Sequence, residues 1–468
     1  MGARSIVVED VLGRDDVAEE IAQLEECSAI PDGDVSACAI TFLASSVKRD
    51  GDFASVAGKA VIGQVVIVTF PIDGEARSYI LEAIWRIPGP RGGAEQLLNN
   101  HVPIRRELSI TFGGLVHSVP AAYFCQQNGV STICSHSAVR TLVSTMTGAK
   151  VSARWLNELW SYDPEARRVT TLQVAEALRE FGLRSVSYDP AKSPDGRDKS
   201  WDLPALLADS GSASLLILAD GGTEHVIPVL GHTINSDEWH PIGAKLFKKG
   251  QEDVSSSSLW TDHLVVHDDM LGPYYCLSKA GLLPGRDAPV KPKLAMAILP
   301  AGVHVSPIQA EDFARQILGI LIKEVEAERF GRGRWWRHLA DCRERRVFRT
   351  TLISRTDYLS TLPERATTTE KKALLAASLP ERMWMAEISV PNVFLANKAK
   401  LGEILLSTST FPTDEDEEAV LETMVGFRLP SLISYRDPEG DASQFIVSRW
   451  SEHGYRAIHA PGHHPNWW

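Results

Sequence analysis

The chain has 468 residues, 44% hydrophobic and 23% charged, the balance of a folded globule rather than a disordered chain. Asp and Glu outnumber Lys and Arg by 60 to 48, and the resulting charge of −12 disfavours a general nucleic-acid or anionic-membrane binder. Six cysteines without a Cys-x-x-Cys pair argue against a disulfide framework or a zinc ribbon, and no apolar run reaches the roughly 18–20 residues that span a bilayer.

The first residues carry Arg4 but turn acidic at Glu9 and Asp10, without the pattern of a secretory signal. A soluble, cytoplasmic protein of about two to four domains is therefore expected. Residues 1–115 read as an α+β accessory domain. Helical spacing at Asp16–Glu26 precedes strand-like segments at Val35–Ala44, Lys59–Phe70, Arg77–Ile87 and Arg106–Phe112, punctuated by Pro- and Gly-containing turns. No cluster in this part has a catalytic look.

Residues 116–285 carry the chemistry. A glutamine-bearing turn, Cys125-Gln126-Gln127-Asn128-Gly129, runs into Cys134 at the start of an amphipathic helix that stops at Gly148, with Ser131 or Thr132 expected as N-cap. Free backbone N–H groups and the positive end of the helix dipole favour a thiolate over a thiol at that position. A glutamine just before the cysteine can donate to the oxyanion formed when a thiolate attacks a carbonyl, and both Gln126 and Gln127 qualify. A second helix, Thr170–Leu183, opens on a Thr-x-x-Gln capping box. After an apolar strand at Leu215–Ala219 and a glycine turn, His225 opens another apolar strand, a position from which an imidazole projects into a cleft. A third strand, beginning at His263, ends on Asp268 and Asp269. Antiparallel pairing of the last two strands would bring one of these carboxylates to the far nitrogen of His225 and fix its tautomer. His263 is the rival base.

From about 119 to 280, this order of glutamine turn, cysteine helix, histidine strand and Asp-x-x-x-Gly strand resembles papain-like cysteine peptidases. It is most similar to the bacteriocin-processing, double-glycine leader peptidase type. The resemblance implies a helical lobe with the nucleophile helix and an antiparallel sheet carrying His and Asp. It assigns Cys134 as nucleophile, His225 as base, Asp268 as its orienter and Gln127 as oxyanion donor, with Gln126, Asp269 and His263 as alternates. Asp268 is preferred to Asp269 because it stands four residues before Gly272. Ser135-His136 replaces the Gly-Pro that usually follows the cysteine, and an insertion from Thr233 to Asp262 separates the histidine and aspartate strands. That insertion is expected to act as a lid or substrate loop.

A Pro/Gly-rich linker follows, and residues 290–468 read as a second α+β accessory domain. A helix is expected from Gln309 to about Phe330, with strands near Val347–Ser354, Met383–Val390, Glu403–Thr408, Glu422–Phe427 and Gln444–Ser448. The arginines between Arg329 and Arg349 read as a solvated helix face, the acidic run Asp414–Glu418 as a loop or helix start, and His453, His459, His463 and His464 as a histidine-rich end. The combined expectation is an α+β protein: a papain-like domain between two α/β accessory regions, acting on an amide or isopeptide bond in a protein or peptide substrate. It needs no metal or organic cofactor, binds no nucleic acid or membrane, and meets protein partners through its flanking domains. An inactive papain-like binding module and an acyltransferase of the same fold are the alternatives.

Overall fold

The computed structural model describes residues 2–27, 35–47, 53, 56, 60–87, 100–166, 168–191, 199–220, 223–234, 255–282, 290–327, 334–341, 346–362, 376–391, 393–394, 399–412, 416–430, 432–436, 445–449 and 456–457. The protein is α+β, with three large sheets whose strands pair antiparallel apart from one short parallel contact. Among the described residues, no helix is long and apolar enough to cross a membrane.

The N-terminal unit is a six-stranded sheet. Its elements are β1 (Ser5–Asp10), α1 (Asp15–Cys27), β2 (Ser36–Leu43), β3 (Val61–Ile72), β4 (Glu75–Arg86), β6 (Arg106–Phe112) and β7 (Leu115–Phe124), in the sheet order β1-β2-β3-β4-β7-β6. The two-residue strand β5 (Asn100–His101) lies between β4 and β6 in the chain but joins the next sheet. Alternation of buried and exposed residues in β2 and β6 gives each strand one core face. Val17 and Leu24 of α1 pack with Val66, Val68 and Phe70 on one side of the sheet. The boundary expected at 115 is corrected: β7 pairs with both β4 and β6, so this sheet runs to Phe124 and ends ten residues before Cys134.

The middle unit contains α2 (Cys134–Thr147), α3 (Ala153–Trp160), α4 (Thr171–Glu180), β8 (Arg184–Tyr188), α5 (Asp202–Asp209), β9 (Ala213–Asp220), β10 (Thr223–Ile234), β11 (Ser255–Ser256), β12 (Thr261–Asp268), β13 (Gly272–Ser278), the short α6 (Lys279–Leu282) and β14 (Lys291–Leu299). Its sheet runs β13-β12-β10-β9-β14-β8, with β5 also on β10. Because β14 is an inner strand of it, the unit extends past 285 to Leu299, a second boundary correction. Successive residues of β9 face opposite sides. Leu215 joins a core with α2, α3 and α4, whereas Leu216 and Leu218 join one with α5. Gly231 lets β5 approach, since a Cβ there would lie 2.0 Å from the His101 carbonyl oxygen.

The C-terminal unit has α7 (Pro307–Ala327), α8 (Arg334–Asp341), β15 (Val347–Ser354), α9 (Arg355–Ser360), β16 (Arg382–Ser389), β17 (Ala399–Lys400), β18 (Gly402–Ser407), α10 (Glu417–Glu422), β19 (Met424–Leu429), β20 (Leu432–Arg436), β21 (Phe445–Arg449) and β22 (Arg456–Ala457). Within the acidic run, Asp416 caps α10 and Glu417 and Glu418 open it, while Asp414 and Glu415 lie outside the described residues. The arginine segment is not one solvated face. Arg346 and Arg349 are buried, and Arg349 on β15 bridges Asp209 of the middle unit (3.1 Å) and Glu387 (3.0 Å). The insertion from Thr233 to Asp262 is described only at its two ends. Thr233 and Ile234 end β10, Ser255–Ser256 pair in parallel with β15, Ser257–Trp260 form a short 3-10 turn, and Thr261 and Asp262 open β12. Residues 235–254 and the histidine-rich tail lie outside the described residues.

Candidate active site

Cys134 is the first residue of α2, reached from the end of β7 by a loop that hydrogen bonds hold in one shape. Asn128 organises it. Its side-chain carbonyl accepts the N–H groups of Val130 (2.9 Å), Ser131 (2.9 Å) and Thr132 (3.1 Å), while Thr132 Oγ1 accepts the N–H of Asn128 (2.8 Å). Gly129, at φ +74°, takes the left-handed turn in this loop. Ser131 and Thr132 are thus spent inside the loop, and the N-cap is Ile133. His136 supplies the side-chain cap instead. Its Nδ1 accepts the Ile133 N–H (3.2 Å), which leaves the proton on Nε2 to donate to Asn157 Oδ1 (2.7 Å). Burial lowers the His136 pKa to about 4, so the ring stays neutral. His136 is a scaffold residue, closed off from solvent between Trp160 and Tyr162.

The N-terminal unit contributes directly to this loop. Glu20 of α1 is buried, and its Oε1 accepts from Tyr79 Oη (2.9 Å) and from Asn128 Nδ2 (3.2 Å). Its Oε2 stands 3.7 Å from Arg140, a buried cation on the nucleophile helix. Gln126 is held on both sides of its amide, accepting the Ile80 N–H (2.9 Å) and donating to the Asp269 carbonyl (3.1 Å). None of these roles has a short-range signature: Glu20 and Tyr79 lie 108 and 49 positions from Asn128, and only the fold brings them together.

His225 lies on β10, opposite Leu218 of β9. The antiparallel pairing of β10 with β12, Val229 opposite Val266, carries the end of β12 to the imidazole. His225 Nε2 stands 3.3 Å from Asp268 Oδ1 and 3.5 Å from Asp269 Oδ1. Cys134 stands close enough to His225 to help raise the imidazole pKa. Burial works against charge on His225, but the hydrogen bonds to Asp268 and Cys134 and the two carboxylate charges outweigh it, raising the pKa from 6.5 to about 10. Asp268 is anchored by the N–H groups of Met270 (2.8 Å) and Leu271 (3.1 Å), and its pKa falls although burial opposes this.

Asp269 is the contrasting neighbour. Its side chain is 4% exposed, its Oδ1 pairs with His225, and the backbone at Gln127 and Asp269 works to lower its pKa. Burial pushes its pKa up to about 6, with the Asp268 charge adding to the rise and His225 opposing it. It lines a cavity of about 10 Å³ with Cys134, Ser137 and His267. His263 is not brought to the site. It lies five residues from Asp268 along β12, about 16 Å, beside Thr233. Of the other cysteines, Cys125 is buried with its pKa raised to about 11 by burial, and Cys27 is exposed. Comparison with protein-family models, curated proteins and solved structures finds no match to this chain.

Proposed function

We propose that the chain is a thiol hydrolase of the papain-like type, cleaving an amide or isopeptide bond in a protein or peptide. One observation carries this reading: Asp268 and Asp269 converge on the His225 imidazole, and a cysteine at a helix start stands close enough to that ring to help raise its pKa. A helix beginning at the cysteine, packed on an antiparallel sheet that bears the histidine and aspartate, also supports a papain-like architecture. The replacement of Gly-Pro by Ser135-His136 does not count against activity, because His136 does structural work away from the sulfur.

In the proposed reaction, the Cys134 sulfur forms a bond to the substrate carbonyl carbon as the C=O electron pair moves onto oxygen. The first N–H groups of a helix have no intrahelical partner, so the Cys134 N–H can donate to that oxyanion. Gln127 is the side-chain donor, since Gln126 is committed to Ile80 and Asp269. His225, protonated at neutral pH, gives its proton to the departing amine nitrogen as the C–N bond breaks. Water then attacks the thioester, His225 takes a proton from it, and the sulfur leaves with its electron pair. Asp268 holds the ring throughout.

Digestion of a denatured proteome-derived peptide library, read by mass spectrometry, tests this directly. New peptide termini are expected with the wild-type chain and none with Cys134→Ala. The same termini with the variant, or none with either, would overturn it. Added primary amines separate hydrolysis from acyl transfer, the transfer reading giving amide-linked products.

A further inference from the structure

His225, Asp268 and Asp269 form a group whose ligand atoms all lie within 4.8 Å of one another. We propose that this group is a binding site for a zinc-like divalent cation, which would switch the cysteine site off. Four-coordinate zinc holds N and O ligands at about 2.0–2.2 Å, which sets neighbouring ligand atoms about 3.3–3.5 Å apart in a tetrahedron. The two measured spacings from His225 Nε2, 3.3 Å to Asp268 and 3.5 Å to Asp269, match that edge length.

A second observation points the same way. Asp269 carries a carboxylate nine-tenths buried, aimed at the imidazole, with no hydrogen bond of normal geometry to either oxygen among the described residues. A buried carboxylate so poorly hydrogen-bonded is costly, and a cation between it and Asp268 would offset that cost. Charge balances, because two carboxylates neutralise one divalent ion. Access exists as well, since the His225 side chain is 26% exposed. Binding releases the Nε2 proton to solvent and forms metal bonds to Nε2 and to one oxygen of each carboxylate, with water as the fourth ligand. The cysteine is not needed as a ligand, because the three side chains and one water complete a four-coordinate shell. Inhibition rests on the reading of His225 as the catalytic base. Binding itself does not.

The test is calorimetric titration of chelator-treated, full-length protein with zinc chloride, without substrate. Cobalt chloride provides a second readout, the intense visible bands of four-coordinate Co²⁺. Asp268→Asn and Asp269→Asn are each expected to weaken one binding event at least tenfold, whereas Cys134→Ala changes it less than threefold. Histidines at 459, 463 and 464 are the same in every variant, so metal held by the tail cancels in the comparison. Thermal melting of each variant shows whether it is folded. Equal affinity in folded wild-type and Asp269→Asn proteins would overturn the proposal. So would binding lost in Cys134→Ala, the mark of an ordinary cysteine–histidine site. Zinc binding without peptide cleavage would leave this site standing and remove only the inhibitory role.

Discussion

His225 Nε2 lies 3.3 Å from Asp268 Oδ1 and 3.5 Å from Asp269 Oδ1, so two adjacent carboxylates converge on one imidazole nitrogen. They are not equivalent. Asp268 is hydrogen-bonded to two backbone N–H groups that hold its pKa down, whereas burial pushes the Asp269 pKa up to about 6.

This asymmetry assigns different consequences to the two carboxylates. Asp268→Asn removes the acceptor that fixes the ring and is expected to lower kcat/KM on the order of 10²-fold or more. Asp269→Asn is expected to have the smaller effect. NMR titration of the His225 ring checks the cause, with its pKa falling from about 10 in both variants and further in Asp268→Asn.

Stability carries a pH signature of the same pair. The Asp269 pKa is raised from 3.8 to about 6, so the folded state binds the proton more tightly than the unfolded one. Its destabilising contribution is therefore fully present above about pH 6 and is relieved as pH falls toward 3.8. Asp269→Asn should stabilise the protein at pH 7.5, by an amount on the order of 1–3 kcal/mol. That gain should shrink by pH 4. For His225 the sign is opposite: with its pKa raised to about 10, its stabilising contribution is complete below pH 6.5 and lost as pH rises through 10. Denaturant melts at pH 4, 7.5 and 10 separate the two contributions.

Glu20 links the N-terminal unit to the cysteine loop through Asn128 and to the nucleophile helix through Arg140. Glu20→Ala leaves a buried arginine without its counter-charge, a loss of about 3–5 kcal/mol, and frees the loop. Glu20→Gln can keep the Asn128 and Tyr79 contacts while losing the ion pair. The alkylation rate of Cys134 should therefore fall in the order wild type, Glu20→Gln, Glu20→Ala. A double-mutant cycle with Asn128→Ala measures the coupling.

The two glutamines should part in their effects. Gln127→Ala is expected to lower kcat about 10²–10³-fold with little change in melting temperature. Gln126→Ala breaks the contacts to Ile80 and Asp269 and should lower stability first. Equal behaviour of the two variants would remove the oxyanion role from Gln127.

Much of this site is written locally. A cysteine after a turn-rich stretch, a histidine opening an apolar strand after a glycine turn, and an aspartate pair ending the next strand are short-range patterns, and the antiparallel pairing of β10 with β12 follows from them. The scaffold is written at long range. Ser131 and Thr132 look like N-caps in sequence, but Asn128 competes for this loop and His136 supplies the cap. Strand β7 looks like the opening of the middle unit, yet its partners are β4 and β6, and no periodicity reveals partners. Arg349 reads as one more surface arginine because the carboxylates that neutralise it come from Asp209 and Glu387, 140 and 38 positions away.

The most direct measurement is site-resolved alkylation of the folded protein by iodoacetamide between pH 6 and 8, comparing Cys134 with exposed Cys27. The Cys27 thiol has a pKa raised by burial and by Glu26, so it reacts slowly at pH 6. With His225 as imidazolium beside Cys134, the account predicts labelling of Cys134 at least tenfold faster than Cys27 at pH 6, and loss of that advantage in His225→Ala. Cys134 reacting no faster than Cys27, or a fast rate indifferent to His225→Ala, would contradict it.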